Sequence, residues 1–172
     1  MLKKAGTSIA LPYGIIGGVV TWVYILSLAL LGLENPYNNI AEFSSTLIFV
    51  PVFVVLGIQG FKKYINPEMG FGHAFAVGLG VTFFLAFTTA LLMGIYSQTF
   101  GSDLIQDYIV EMQKQMELNQ TIASQKISEQ DFEALYQDLG RLNAFQLAQR
   151  SFIYRFIAGF FVCVVSSVYF RK

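Results

Sequence analysis

Charged residues are missing from long stretches of this chain, and no other feature restricts its fold as strongly. No Asp, Glu, Lys or Arg falls in the 29 residues between Lys4 and Glu34, the 19 between Glu42 and Lys62, or the 34 between Glu68 and Asp103. A fourth gap of 15 residues separates Arg155 from Arg171. A helix crossing a hydrocarbon core of roughly 30 Å needs about 20 mostly apolar residues. The first three gaps meet that length. The fourth meets it if its helix starts near Ser151 and Arg155 extends its guanidinium outward along an apolar stem. Backbone polar groups in lipid must be satisfied within the chain, so each span should be a helix.

The expected fold is therefore an all-α integral membrane four-helix bundle. Its spans cover about residues 13–33, 43–61, 73–98 and 151–170, within a single membrane domain of residues 1–172. The first apolar stretch far exceeds the ~7–15 residues of a signal-peptide core, and it reads as a retained helix. Tyr13, Tyr64, Tyr96, Tyr154 and Tyr169 fall near span ends, where amphipathic rings favour the headgroup level. Arg155, Tyr154 and Tyr169 are the expected interface anchors of the last span. Trp22 and Tyr24 fall in mid-span, so their polar atoms need partners inside the bundle.

Composition narrows function by exclusion. Charged residues make up 13% of the chain, about half the soluble-domain norm of about 25%. The formal net charge is zero, which offers no basic surface to a phosphate backbone, so no nucleic-acid partner is expected. The one cysteine, Cys163, excludes an intrachain disulfide and multi-cysteine metal clusters.

Sidedness follows from the basic residues. Lys3 and Lys4 precede the first span, Lys62 and Lys63 follow the second, and Arg171 and Lys172 end the chain. The first loop, with Glu34 and Glu42, has no base. Excess Lys and Arg marks the cytoplasmic side, so both termini and the second loop are expected there. The first loop and residues 103–150 then lie on the opposite side. That long segment carries eight acids and four bases, a net charge of −4.

Residues 103–150 carry helical patterning. Ile105, Ile109, Met112 and Met116 recur at steps of four, three and four, forming one stripe. A polar break at 119–124 follows. Ser128 and Asp131 then read as a capping box opening a second helix, along which Phe132, Leu135, Leu139, Leu142 and Phe145 continue a stripe. An extramembrane amphipathic hairpin between the third and fourth spans is expected. Such stripes ordinarily pack on each other or on the bundle. They can also dock a partner or a second copy of the chain. Ile105, Ile109, Met112, Met116, Phe132 and Leu139 are the candidates for that contact.

Gly14 and Gly18 form a GxxxG pair, and Ala74, Gly78 and Thr82 repeat small residues every four positions. This spacing lets helix backbones approach, so the first and third spans should pack closely through Gly14, Gly18, Ala74 and Gly78. Pro51 cannot donate to the Leu47 carbonyl, which predicts a kink in the second span.

The sequence carries little chemistry. No Asp, Glu or Lys lies within the first three expected spans, which disfavours proton- or sodium-coupled transport. His73 stands alone at the start of the third span, without partners at ligand spacing. Cys163 sits in apolar surroundings and reads as a small core residue. Ser166 and Ser167 lack a nearby histidine and a G-x-S-x-G elbow. Neither a P-loop, HExxH nor GxGxxG occurs. No catalytic residue, metal or cofactor is expected. Asn119-Gln120-Thr121 matches a glycosylation sequon, which matters only in a host that glycosylates.

The stretch Gly57-Ile58-Gln59-Gly60-Phe61-Lys62-Lys63-Tyr64, followed by Gly70-Phe71-Gly72-His73-Ala74-Phe75-Ala76-Val77-Gly78, resembles a pattern in the bacterial membrane family called domain of unknown function 4199. Members resemble a helix ending LGIK-x-Y, a short polar loop, and FGKAF-x-x-G opening the next helix. His73 replaces the usual lysine, and Gln59-Gly60 loosens the first motif. The similarity continues through the acidic segment Asp107 to Glu117 and a last helix ending in bases. It implies a four-span protein of Bacteroidota-type bacteria, in the inner membrane with residues 103–150 in the periplasm. It implies no activity.

The expected function is a non-enzymatic inner-membrane structural or interaction subunit, surrounded by membrane lipids and acting through its hairpin on a protein partner or a second copy. The alternative is a small transporter or channel component, suggested by Pro51, the glycine-rich spans and Thr82, Thr88 and Thr89. An intramembrane enzyme would need a polar cavity joining His73 to Ser166 or Ser167. The sidedness is testable in a Cys163→Ser background. Lys3→Cys and Lys63→Cys should react with a membrane-impermeant maleimide from one face, and Gln115→Cys from the other. Lys3→Cys and Lys63→Cys reacting from opposite faces would overturn the four-span topology.

Overall fold

The computed structural model describes residues 2–118 and 128–171. The sequon at 119–121 and the polar break at 119–124 lie outside the described residues. Six helices occur among them: α1 Leu2–Leu30, α2 Asn39–Tyr64, α3 Phe71–Thr99, α4 Ser102–Leu118, α5 Glu129–Gly140 and α6 Ala144–Phe170. Four of these, α1 from Gly6, α2, α3 and α6, are long and apolar enough to cross a membrane. The fold is an all-α bundle of four spans with a helical hairpin, α4–α5, between the third and fourth.

Local chemistry sets the helix ends. Gly32 adopts φ 65° after α1, and the Leu33 N–H returns to the Leu28 carbonyl at 3.0 Å, a turn that glycine makes without a Cβ clash. Asn38 caps α2 by accepting from the Asn39 N–H at 2.9 Å. Ser128 caps α5, accepting from Asp131 N–H at 3.2 Å. Asn143 and Gln146 exchange hydrogen bonds of 2.9 and 3.1 Å in a full capping box. That box starts α6 at Ala144, seven residues before the expected Ser151. It also breaks the second stripe: Phe132 and Leu139 lie half-buried on α5, while Phe145 is exposed on α6.

Lys62 Nζ donates to the Phe170 carbonyl at 3.2 Å, and Gly6, Phe61 and His73 line one cavity. These contacts bring the described chain ends and the 65–70 loop to one end of the bundle, the terminal end. The 31–38 loop and the hairpin occupy the other, the hairpin end. α3 is central: it packs most extensively on α1 and α6, which flank it, while α2 touches all three. One core at the terminal end gathers Val54, Ile58, Phe61, Val77, Val81 and Cys163. A second at the hairpin end gathers Ile25, Tyr37, Met93, Ile105, Tyr108 and Leu147. Ile16, Leu47, Phe87 and Phe161 are exposed on the four spans, as helices bordered by lipid require.

The α1–α3 contact runs through glycine. A Cβ on Gly14 would stand 2.9 Å from the Val81 carbonyl, and one on Gly18 would stand 2.6 Å from Thr88 Cβ. Thr89 Oγ1 donates across the seam to the Gly18 carbonyl at 3.1 Å. The small residues of α3 divide differently from expectation. Ala74 is buried in the terminal-end core, but Gly78 faces Cys163 and Ile58, turned toward α6 and α2. Gly80, beside Ala10, is the small residue that meets α1. α2 remains helical on both sides of Pro51, and α1 likewise contains Pro12, which the expected start at residue 13 excluded. Gly18→Leu should lower unfolding free energy by about 3 kcal/mol or more, because backbone as well as side chain blocks the added volume. Gly72→Ala, with open space around it, should be neutral. An SDS-unfolding titration of both variants reads the difference, and equal stabilities would refute the close seam.

Candidate functional site

The strongest concentration of buried polar chemistry lies at the hairpin end between α2 and α6. Arg155 is 0% exposed. Its Nη1 donates to Glu42 Oε1 at 3.3 Å, to the Ser151 carbonyl at 3.2 Å and to Ser151 Oγ. Nη2 donates to Ser45 Oγ at 3.1 Å. Arg155 Nε and Thr46 Oγ1 have no hydrogen-bond partner among the described residues. Ser45 in turn donates to the Glu42 carbonyl at 3.0 Å. The arrangement follows from helical spacing: Glu42 and Ser45 stand three apart on α2, Ser151 and Arg155 four apart on α6.

This corrects two expectations. Arg155 is not a snorkelling anchor, because α6 begins at Ala144 and carries Arg155 roughly 16 Å along its axis. Glu42 is not a loop acid, because Asn38 starts α2 early enough to place it in the first turn, buried. The spans therefore contain a carboxylate after all, paired as an intramembrane charge must be.

A second guanidinium extends the cluster. Arg150 Nη1 donates to Tyr108 OH at 2.6 Å and Nη2 to Asn39 Oδ1, while Nε lies 4.0 Å from Glu42 Oε2. Arg150 thus joins α6, α2 and α4. Around it, Asn35 Nδ2 donates to the Leu104 carbonyl at 2.9 Å, and Tyr37 OH shares a 2.6 Å hydrogen bond with Ser97 Oγ. Burial pushes the Tyr37 phenol above the ordinary tyrosine range, although the Ser97 bond pulls the other way. The Arg150–Tyr108 and Asn35–Leu104 bonds root α4 in the bundle.

The other residues singled out in the sequence divide between the two ends of the bundle. Ile105 and Ile109, candidates for a partner, are buried within the chain, and Met112 and Met116 are half-buried. The first stripe of the hairpin therefore seals the bundle's hairpin end, packing with Ile25, Tyr37, Met93 and Leu147. Tyr136 OH donates to Glu117 Oε1 at 2.9 Å, which ties α5 to α4 and raises the tyrosine pKa. Tyr24 OH reaches Ser44 Oγ at 3.4 Å, and Trp22 packs edge-on against Tyr96. Tyr154 and Tyr169 are exposed. Cys163 is buried against Thr82 Oγ1 at 3.3 Å. His73 lines a cavity between α1 and α3 that neither Ser166 nor Ser167 lines. Among the described residues no group of three or more His, Cys, Asp or Glu could hold a metal ion.

Four apolar spans, a glycine-sealed bundle and one buried arginine–carboxylate cluster define a multi-pass helical membrane protein. A family model described as Protein of unknown function (DUF4199) matches residues 12–172, and the chain belongs to that family. No curated protein matches it, and no solved structure does.

Breaking a buried ion pair from one side leaves an uncompensated charge and costs about 3–5 kcal/mol, whereas replacing both partners by apolar residues is often neutral. Glu42→Leu and Arg155→Met should each destabilise strongly in detergent, and the double variant should regain most of the loss. Additive losses in the double variant would show that the two residues are not paired.

Proposed function

We propose that this chain is a non-enzymatic protein of the bacterial inner membrane that works as a structural or interaction subunit, presenting the α4–α5 hairpin to a partner or to a second copy of itself. The chain ends lie in the cytoplasm and the hairpin in the periplasm. Lys62, Lys63 and Arg171 cluster toward the terminal end, and acids dominate the hairpin, in keeping with the bias of bases toward the cytoplasm.

The observation that carries this reading is the contrast along α4. Its root is fastened by Arg150, Asn35 and the burial of Ile105 and Ile109. Farther out, apolar side chains remain in the open: Val110 is 62% exposed and Leu118 74%, with Leu135 at 51% on α5. A hairpin needed only to close the bundle gains nothing from these side chains, and a docking element does. The contact surface accordingly shifts from Ile105 and Ile109 to Val110, Leu118 and Leu135. A second reading, a small transporter or channel component, draws on the Glu42–Arg155 pair inside the bundle.

A photocrosslinking amino acid placed at Val110, Leu118 or Leu135 in cells should yield one adduct of defined mass, either a dimer of this chain or a complex with a single protein. The same probe at the buried Leu147 should yield none. If no protein adduct forms at the three exposed positions, the interaction reading fails and the transporter reading takes its place.

A further inference from the structure

Beside the buried ion pair, a cavity of about 420 Å³ opens on the flank of the bundle between α2 and α6. Asn39, Glu42, Arg150 and Tyr154 supply its polar wall, Ile40 and Phe43 its apolar lip. The lining carries one guanidinium, Arg150, and one carboxylate, Glu42, and Arg155 lies fully buried behind that wall. The three-residue cluster therefore has an excess of one positive charge, and Arg150 is its basic member at the cavity. Glu42 is the only acid in the lining, and it faces Arg155 more closely than Arg150, at 3.3 against 4.0 Å.

Arg150 is the accessible member, with a side chain 43% exposed. Its bonds to Tyr108 and Asn39 occupy two of the five N–H donors of a guanidinium, on a side chain that lines the cavity. A planar guanidinium with spare donors matches a phosphate oxygen pair. The surface running from the pocket toward the terminal end is apolar. Leu47 lies one turn beyond Phe43 on α2, and Ile157 and Phe161 lie one and two turns beyond Tyr154 on α6, all exposed.

We propose that this pocket is a binding site for an anionic phospholipid, with the singly charged phosphodiester at Arg150 and an acyl chain along Leu47, Ile157 and Phe161. One phosphodiester charge at Arg150 neutralises the excess of the Arg150–Glu42–Arg155 cluster. The exposed apolar side chains beside it suit a tail that a free phosphate lacks. A zwitterionic lipid brings a cationic headgroup toward the same guanidinium and binds less well. Because Arg150 also clips Tyr108 of α4, the lipid sits against the residue that roots the hairpin.

Local quenching by lipid tests the site. In a Trp22→Phe, Leu47→Trp variant reconstituted in nanodiscs, the tryptophan reports bromine-labelled acyl chains beside it. Brominated phosphatidylglycerol should reach half-quenching at about fivefold lower mole fraction than brominated phosphatidylcholine, the effect of one basic group at a lipid surface. Arg150→Gln should bring that ratio close to one, and Arg150→Lys, which keeps the charge, should retain at least half of the preference. Equal quenching by the two lipids with Arg150 intact overturns the proposal, as does a preference unchanged in Arg150→Gln or lost in Arg150→Lys. Millimolar glycerol phosphate should leave the preference in place. If it erases the preference, the ligand is a soluble anion and the lipid assignment falls.

Discussion

Hydrocarbon cannot hydrogen-bond, and most of this structure follows from that constraint. Helices satisfy their own backbones, and polar side chains within the spans do the same by local means. Thr21, Thr89 and Ser97 each return a hydroxyl to the carbonyl four residues back. The one buried arginine has no such local solution for its charge. Arg155 therefore requires a carboxylate from another helix, and Glu42 reaches it from the first turn of α2. The pairing fixes the relative height of α2 and α6, since a shift of one turn would separate the charges by 5.4 Å of rise.

The bundle divides its labour along its length. Toward the terminal end and the centre, cohesion comes from shape, with the glycine face of α1 against α3 and Gly78 against α2 and α6. Lipid tails are as apolar as these side chains, so close backbone approach rather than the hydrophobic effect selects the partners. At the hairpin end, cohesion comes from polar bonds and from a second core that α4 completes. The α4–α5 hairpin is thus part of the bundle at its root, and exposes large apolar side chains at Val110, Leu118 and Leu135. A partner acting on the outer hairpin and a lipid acting on Arg150 would meet at the same fastening, the Arg150–Tyr108 bond.

The spans, the two ends they define and the cap that opens α5 were legible in the amino-acid order, because the absence of charge and the spacing of apolar residues are local properties. Ser128 before Asp131 announced α5, and Gly14 and Gly18 announced a close seam with α3. The candidate site was half legible. Arg155 was visible as an odd charge in an apolar run, and Ser151 four residues before it was a clue. Its partner was not visible, because Glu42 stands 113 positions away and reads as a loop acid unless α2 is known to start at Asn39. The stripe of α4 was legible as a helical repeat of apolar residues, but not what it faces.

What the amino-acid order alone determined is which described helices are long and apolar enough to cross a membrane and which segment between them is not, since transfer from water to hydrocarbon is settled residue by residue. What only the tertiary structure decided is which charges meet, which glycine faces which helix and which face of the hairpin remains open. Those outcomes depend on the rotation and height of one helix against another, and helix rotation is fixed by contacts between residues far apart in the chain.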